Sequence, residues 1–345
     1  MSRSKRYLVL AEGRSDDPHY GKTARGVIRY GSEPVVAILD STHAGETYGA
    51  IPVIGSVDDA VPFGPTTALV GVATAGGRFP PAWRELLRSC IAKGLDVENG
   101  LHEFLSEDAE LAELAATHGV ELRDLRKPPP GLNVPTGEQL AVQARIVLTV
   151  GSDCAIGKMT VSLELDREAR ARGLSSVFVP TGQTGIAIAG WGIAVDAVVS
   201  DFVAGAAERL VIEGAARGGD LLWVEGQGAL IHPAYSGVTL GLMHGSAPHA
   251  LILCHLAGAF EIEGFPGHPI PALPDLVALH ELASLPARRA RVAAIALNTR
   301  DLDETDARAA VETAENDTGL PVDDPVRFGS ARLLDAVLSA LPALP

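Results

Sequence analysis

The chain has 345 residues, more than one ordinary domain, and is 47% apolar and 21% charged, a globular composition that excludes a disordered chain, a collagen-like chain and a coiled coil. Its 28 Lys and Arg face 43 Asp and Glu, so the formal charge is −15. A surface that acidic repels phosphate backbones, which argues against nucleic acid and anionic membrane as partners and leaves small molecules.

At the start, basic residues are followed by one five-residue apolar run, too short for a signal-peptide core. That run, Tyr7–Ala11, reads as a strand ending in Glu12-Gly13. Val35–Leu39 reads as a second, ending in Asp40-Ser41, and Thr67–Val72 as a third, running out into Ala75-Gly76-Gly77. Pro81 to Lys93 has helical spacing, with Trp83, Leu86, Leu87 and Ile91 on one face. Strand, small-residue turn and helix make the βα unit of a parallel sheet, where ligands sit at strand carboxyl ends. Lys127-Pro128-Pro129-Pro130-Gly131 then interrupts the pattern, because three prolines suit neither a helix nor a central strand. The expected division is 1–127, a Pro-rich linker over 128–135, and 136–345.

The second part alternates in the same way. Strands are expected at Arg145–Val150, Ser176–Val179, Leu221–Val224, Ala250–Cys254 and Val292–Leu297. Helices are expected at Lys158–Arg172, Asp201–Arg217 with Asp201 as N-cap (or reaching a metal), Thr305–Thr318 and Ala331–Leu341. Two α/β domains follow, the second larger. Cys90, Cys154 and Cys254 form no CxxC pair, which fits a reducing cytoplasm. No apolar run approaches the length of a membrane span.

The chemistry concentrates in Gly151-Ser152-Asp153-Cys154-Ala155-Ile156-Gly157-Lys158-Met159-Thr160. A strand enters a glycine-bounded loop and leaves through Gly-Lys into a helix. Glycines let successive N–H groups turn inward, the helix offers its positive end, and Lys158 adds a mobile charge. Five residues separate Gly151 from Gly157, where the standard motif has four, and Met159 stands where a hydroxyl would ligate Mg²⁺. The spacing looks like that of dethiobiotin synthetase and its relatives. Phosphate binding is expected; nucleotide hydrolysis is much less supported.

Glu225 ends the strand Leu221–Val224 and is placed to ligate Mg²⁺, with Thr160 as the other candidate ligand if Mg²⁺ is used, or to act as a general base. Gln183 and Thr184, in Thr181-Gly182-Gln183-Thr184-Gly185, suit either a polar substrate wall or a plain turn. His232 is a candidate acid or base. The six histidines between His232 and His280 contain no His-x3-His pair, which argues against zinc. Asn298 ends the last expected strand, where related P-loop proteins often contact adenine. Arg300 and, more weakly, Arg327 suit a substrate carboxylate.

Residues 151–160 and 181–185 together with Asp-Ala-Val-Val-Ser-Asp-Phe-Val-Ala-Gly (196–205), Val-Glu-Gly-Gln-Gly (224–228) and His-Pro-Ala-Tyr-Ser-Gly-Val-Thr-Leu-Gly (232–241) resemble the D-glutamate N-acetyltransferase family. The resemblance covers the whole chain, and Met159 is itself a feature of that family. It implies a Rossmann-like α/β domain followed by a P-loop NTPase-like three-layer α/β/α domain with a mainly parallel sheet. It also implies transfer of an acetyl group from acetyl-CoA to the amine of D-glutamate, an acidic amino acid. On that view Glu225 or His232 takes the amine proton, Lys158 or loop amides face the thioester oxyanion, and Arg300 or Arg327 binds carboxylates. The rival readings are an ATP- and Mg²⁺-dependent ligase of the dethiobiotin-synthetase type and a non-catalytic metabolite-binding protein. A homo-oligomer is the expected assembly.

Overall fold

The computed structural model of the protein describes residues 4–17, 21–72, 77–80 and 82–342. Cα packing divides the chain into two units, 1–127 with 183–197, and 128–182 with 198–345. The sequence pattern placed all of 136–345 in the second domain, whereas the structure packs Gln183–Ala197 with the first. Among the described residues no helix is long and apolar enough to cross a membrane.

The first unit contains β1 (Tyr7–Leu10), α1 (Lys22–Tyr30), β2 (Val35–Leu39), β3 (Thr47–Tyr48), β4 (Ile51–Ile54), α2 (Val57–Ala60), β5 (Thr67–Val70), α3 (Trp83–Ala92), β6 (Asp96–Asn99), α4 (Ala109–His118) and β7 (Leu122–Asp124). Its sheet runs β3-β4-β2-β1-β5-β6-β7, parallel except for β3 against β4. The central strands β1, β2 and β5 are short and largely apolar, as a helix-covered parallel sheet requires, whereas β6 toward the edge carries Asp96, Glu98 and Asn99. Trp83, Leu87 and Ile91 are buried along α3 in the expected stripe, while Pro81, Ala75 and Gly76 lie outside the described residues.

At the carboxyl end of β2, Asp40 is fully buried and gathers the loop after β1. Its carboxylate accepts from Gly13 N–H (3.0 Å), Ser15 N–H (3.0 Å) and Thr42 N–H (3.0 Å), and from the Thr42 hydroxyl (2.6 Å). Burial pushes its pKa up, but the hydrogen bonds from Ser15, Thr42 and Gly13 outweigh it and hold the carboxyl well below the usual range. A depressed acid stabilises the fold above its unfolded pKa of about 4, and that stability is lost as pH falls through the folded value. Asp40→Asn is therefore expected to cost about 2 kcal/mol at neutral pH, with the deficit shrinking toward acid. Urea unfolding at neutral pH and under acid conditions checks this; an equal deficit at both would remove the charge from the argument.

The second unit contains β8 (Arg145–Gly151), α5 (Lys158–Ala171), β9 (Ser176–Val179), then, after α6 (Gln183–Ala189) of the first unit, α7 (Val203–Ala216), β10 (Leu221–Val224), α8 (Ser236–Ser246), β11 (Ala250–Leu256), α9 (Leu273–Ser284), β12 (Arg291–Asn298), α10 (Glu304–Thr318), β13 (Val322–Asp323) and α11 (Ala331–Ala340). Its sheet is wholly parallel in the order β13-β12-β11-β8-β10-β9. Trp223 is buried on β10, and its indole N–H donates to Ser176 Oγ (2.9 Å), which donates to Asp166 on α5 (2.6 Å). That chain of bonds ties two strands to the helix that follows the glycine loop. One expectation fails here. Asp201 is exposed in a 3₁₀ turn, and α7 starts later, from Phe202, without a side-chain cap.

Candidate phosphate-loop site

The turn between β8 and α5 is dictated by its backbone. Gly157 caps α5 at φ 112°, a left-handed conformation that favours glycine, and Ala155 is also left-handed at φ 53°. Gly226, just past β10, is fixed by closeness instead: a Cβ there would lie 1.8 Å from Thr149 O and 2.9 Å from Lys158 Cδ. Its N–H donates to Thr149 Oγ1 (2.9 Å), so β8 and the end of β10 are stitched together beneath the loop. Ser152 Oγ lies 2.8 Å from His255 Nδ1 at the end of β11.

Lys158 is only 6% exposed, and its Nζ donates to Asp153 O (2.6 Å) inside the loop. Burial lowers its pKa, opposed by Cys154, Cys254, Asp153 and Glu225 around it. Glu225 is buried, and its Oε2 accepts from Thr181 N–H (2.9 Å) and Gly182 N–H (3.1 Å), so the carboxylate is anchored by the loop after β9. Asp153 is anchored too, accepting from Cys154 N–H (2.6 Å) and Glu263 N–H (2.8 Å).

His232 is buried between Tyr235, stacked at 4.6 Å, and Phe265, edge-on at 4.9 Å. Its Nδ1 accepts from Ala234 N–H (3.1 Å), which leaves the proton on Nε2, 4.0 Å from Asp153 Oδ1. His232 in this tautomer is a donor toward the loop, not a base. Asp153, Cys154 and His232 bring potential ligand atoms within 4.8 Å of one another, a grouping that sequence spacing hid. A metal-bound imidazole donates its other N–H to an acceptor; His232 does the reverse, so the trio does not fit a metal. For Mg²⁺, Thr160 is half-buried on the first turn of α5, Met159 occupies the usual hydroxyl position, and Glu225 Oε2 is committed to backbone amides. These groups do not fit the ion.

The remaining candidates separate. Asn298 donates to Ile156 O (3.0 Å) and accepts from Arg300 N–H (3.2 Å), so it braces the glycine loop against β12. Arg300 is exposed beside Asp301 (3.2 Å). Arg327 Nη2 donates to Thr299 O (3.0 Å) and Leu302 O (2.8 Å), which gives its guanidinium a loop-holding role. Gln183 and Thr184 do not form a plain turn. They open α6 in the first unit, where both are buried and Thr184 Oγ1 lies 2.8 Å from Thr23 Oγ1 of α1. Asp324, which sequence reading missed, is buried and accepts from the Thr299 hydroxyl (2.6 Å) and N–H (2.9 Å); an acid beside Pro325 carries no signal of that role.

Comparison with known proteins matches residues 133–334 to the P-loop domain of DUF1611, a domain of unknown function, and residues 40–128 to its Rossmann-like amino-terminal domain. A D-glutamate N-acetyltransferase of Tritonibacter scottomollicae is 36% identical over 333 residues, covering 96% of this chain and 98% of that protein. Another, from a Pseudoalteromonas species, is 34% identical over 275 residues, covering 79% of this chain and 82% of that protein. The crystal structure of a DUF1611 family protein from Anabaena variabilis superposes with a TM-score of 0.92 at 39% identity, covering 97% of this chain and 99% of that one.

Proposed function

This chain belongs to the DUF1611 family, with its Rossmann-like and P-loop domains, and from that premise we propose that it is an N-acetyltransferase moving the acetyl group of acetyl-CoA to the amine of D-glutamate. The names of the two curated relatives support the activity class and the acceptor. The observation that carries the cofactor assignment is the loop of residues 151–157, with Lys158 buried at the head of α5 and Met159 in place of the metal-binding hydroxyl. Such a loop suits the diphosphate of CoA, which needs amides and a cation but no hydrolytic metal.

Acetyl-CoA imposes a constraint of its own. Its long pantetheine arm separates the thioester from the diphosphate. If the loop holds the diphosphate, groups touching the loop serve binding and charge balance, and acetyl transfer happens an arm's length away. Lys158 and His232 Nε2–H then donate to the cofactor, and Glu225 sets the charge and position of Lys158 and the loop after β9. Arg300 is the more available cation for an acceptor carboxylate, since Arg327 is engaged by carbonyls.

Incubation of the purified chain with acetyl-CoA and D-glutamate is expected to release CoA thiol and N-acetyl-D-glutamate in equal amounts, with L-glutamate as the comparison. ADP formation from ATP and Mg²⁺, without thiol release, would favour the ligase of the dethiobiotin-synthetase type; binding without turnover would favour a metabolite-binding protein. Glu225→Gln is expected to raise the CoA dissociation constant about tenfold with little change in kcat. A loss confined to kcat would place the thioester beside Glu225 and the diphosphate off the loop.

A further inference from the structure

The amino-terminal edge of the second sheet carries positive charge that the phosphate loop does not use. Arg145 opens β8, His249 immediately precedes β11, and Arg288 lies shortly before Arg291, which opens β12. These three strands are neighbours in the order β12-β11-β8. Arg289 and Arg291 extend the run. The chain has a net charge of −15, yet among the described residues none of these four arginines has an ion-pair partner. The Nε atoms of Arg145 and Arg288 are buried with no hydrogen-bond partner. Two acidic residues bond this edge: Glu281 accepts from Val292 N–H (3.0 Å), and Asp220 accepts from Arg145 N–H through its backbone carbonyl (2.9 Å).

His249 sharpens the point. Its Nδ1 lies 3.0 Å from Ile146 N, a backbone N–H that can only donate, so the imidazole proton sits on Nε2. Nε2 is 2.6 Å from Arg288 Nη1, which also can only donate. Two N–H groups therefore face each other with no acceptor between them. Burial, then Arg288 and Arg145, push His249 down to about 4, so at neutral pH the ring is neutral and keeps the single N–H at Nε2. An acceptor carrying negative charge would turn this frustrated contact into converging hydrogen bonds, and it would supply a partner for the two buried Nε–H groups.

We propose that Arg145, His249 Nε2–H and Arg288 bind a small oxyanion, a phosphate or a carboxylate, at the amino-terminal edge of the second sheet. The unpartnered Nε atoms are below the surface, which selects a compact anion over a polymer backbone. The site is distinct from the glycine loop: β8 runs from Arg145 to Gly151, and seven residues at a rise of roughly 3.3 Å put the two about 20 Å apart. A ligand here would link the starts of three adjacent strands, and the assignment stands independently of any acetyltransferase activity.

The experiment uses the full chain carrying Lys158→Ala, so that binding at the loop is suppressed. Titration calorimetry with inorganic phosphate, and separately with glutamate, is expected to show one site per chain for at least one of them. The ring ¹⁵N signal of His249 should shift in the same titration. Adding Arg288→Gln or Arg145→Gln should weaken binding at least about tenfold. Phosphate alone binding identifies a phosphate site, and glutamate alone a carboxylate site. Should Arg288→Gln fail to fold, Arg288→Lys serves, since it keeps the charge and loses the planar fork. Absence of binding for both anions, or binding untouched by the Arg145 and Arg288 variants with a still His249 signal, overturns the proposal.

Discussion

Lys158→Ala is expected to weaken CoA binding about 30- to 100-fold while leaving the chain folded. The side chain is buried where α5 begins, so whatever anion the loop holds meets an ammonium in a setting of low dielectric. Loss of a charge-assisted contact costs about 2–2.8 kcal/mol, which is the stated fold-change. Stability should move little or rise. The variant removes a desolvated charge that donates to Asp153 O within the loop. Calorimetric titration with CoA, beside a thermal melt, measures both quantities. Unchanged affinity in a folded variant would take the loop out of the cofactor site, and the proposed activity would lose its structural support.

That loop was legible because its requirements are local. A strand, a left-handed glycine before the helix and a lysine at the first helical position follow from the order of residues in one segment. The companions of the loop were less legible. Glu225 could be read as an acid at a strand end, but its anchoring by Thr181 and Gly182 depends on β9 and β10 lying side by side. His232 could be read as an acid or a base. Only the Ala234 N–H on Nδ1 shows that its donor faces the loop.

Helix α8 illustrates the opposite failure. Its glycines at 237, 241 and 245 argue against a helix on propensity alone. In the fold they let α8 approach α7: a Cβ on Gly241 would lie 2.7 Å from Val203 Cγ1, and one on Gly245 1.9 Å from Ala204 O. Tertiary contact overrides propensity there. The membership of Gln183–Ala197 in the first unit was hidden for a related reason, since spacing along the chain says nothing about which sheet a returning segment joins.

Two glycine-to-alanine substitutions in the same unit should move stability in opposite directions. Gly226→Ala is expected to destabilise the second unit by about 3 kcal/mol or more. Its Cβ would meet the Thr149 carbonyl at 1.8 Å, and backbone cannot swing aside as a flexible side chain can. Relief requires β10 to part from β8, which breaks the Gly226 N–H bond to Thr149 Oγ1 and displaces the loop that Lys158 closes. For a unit of this size the melting temperature should fall by roughly 6–12 °C. Gly237→Ala is the control. An added Cβ there meets nothing within 4 Å, and the position is exposed on α8. Alanine should then stabilise by about 0.5–1 kcal/mol through the smaller backbone entropy lost on folding. Equal melting temperatures for the two variants would show that β8 and β10 yield freely, and the rigid seat under the loop would have to be abandoned.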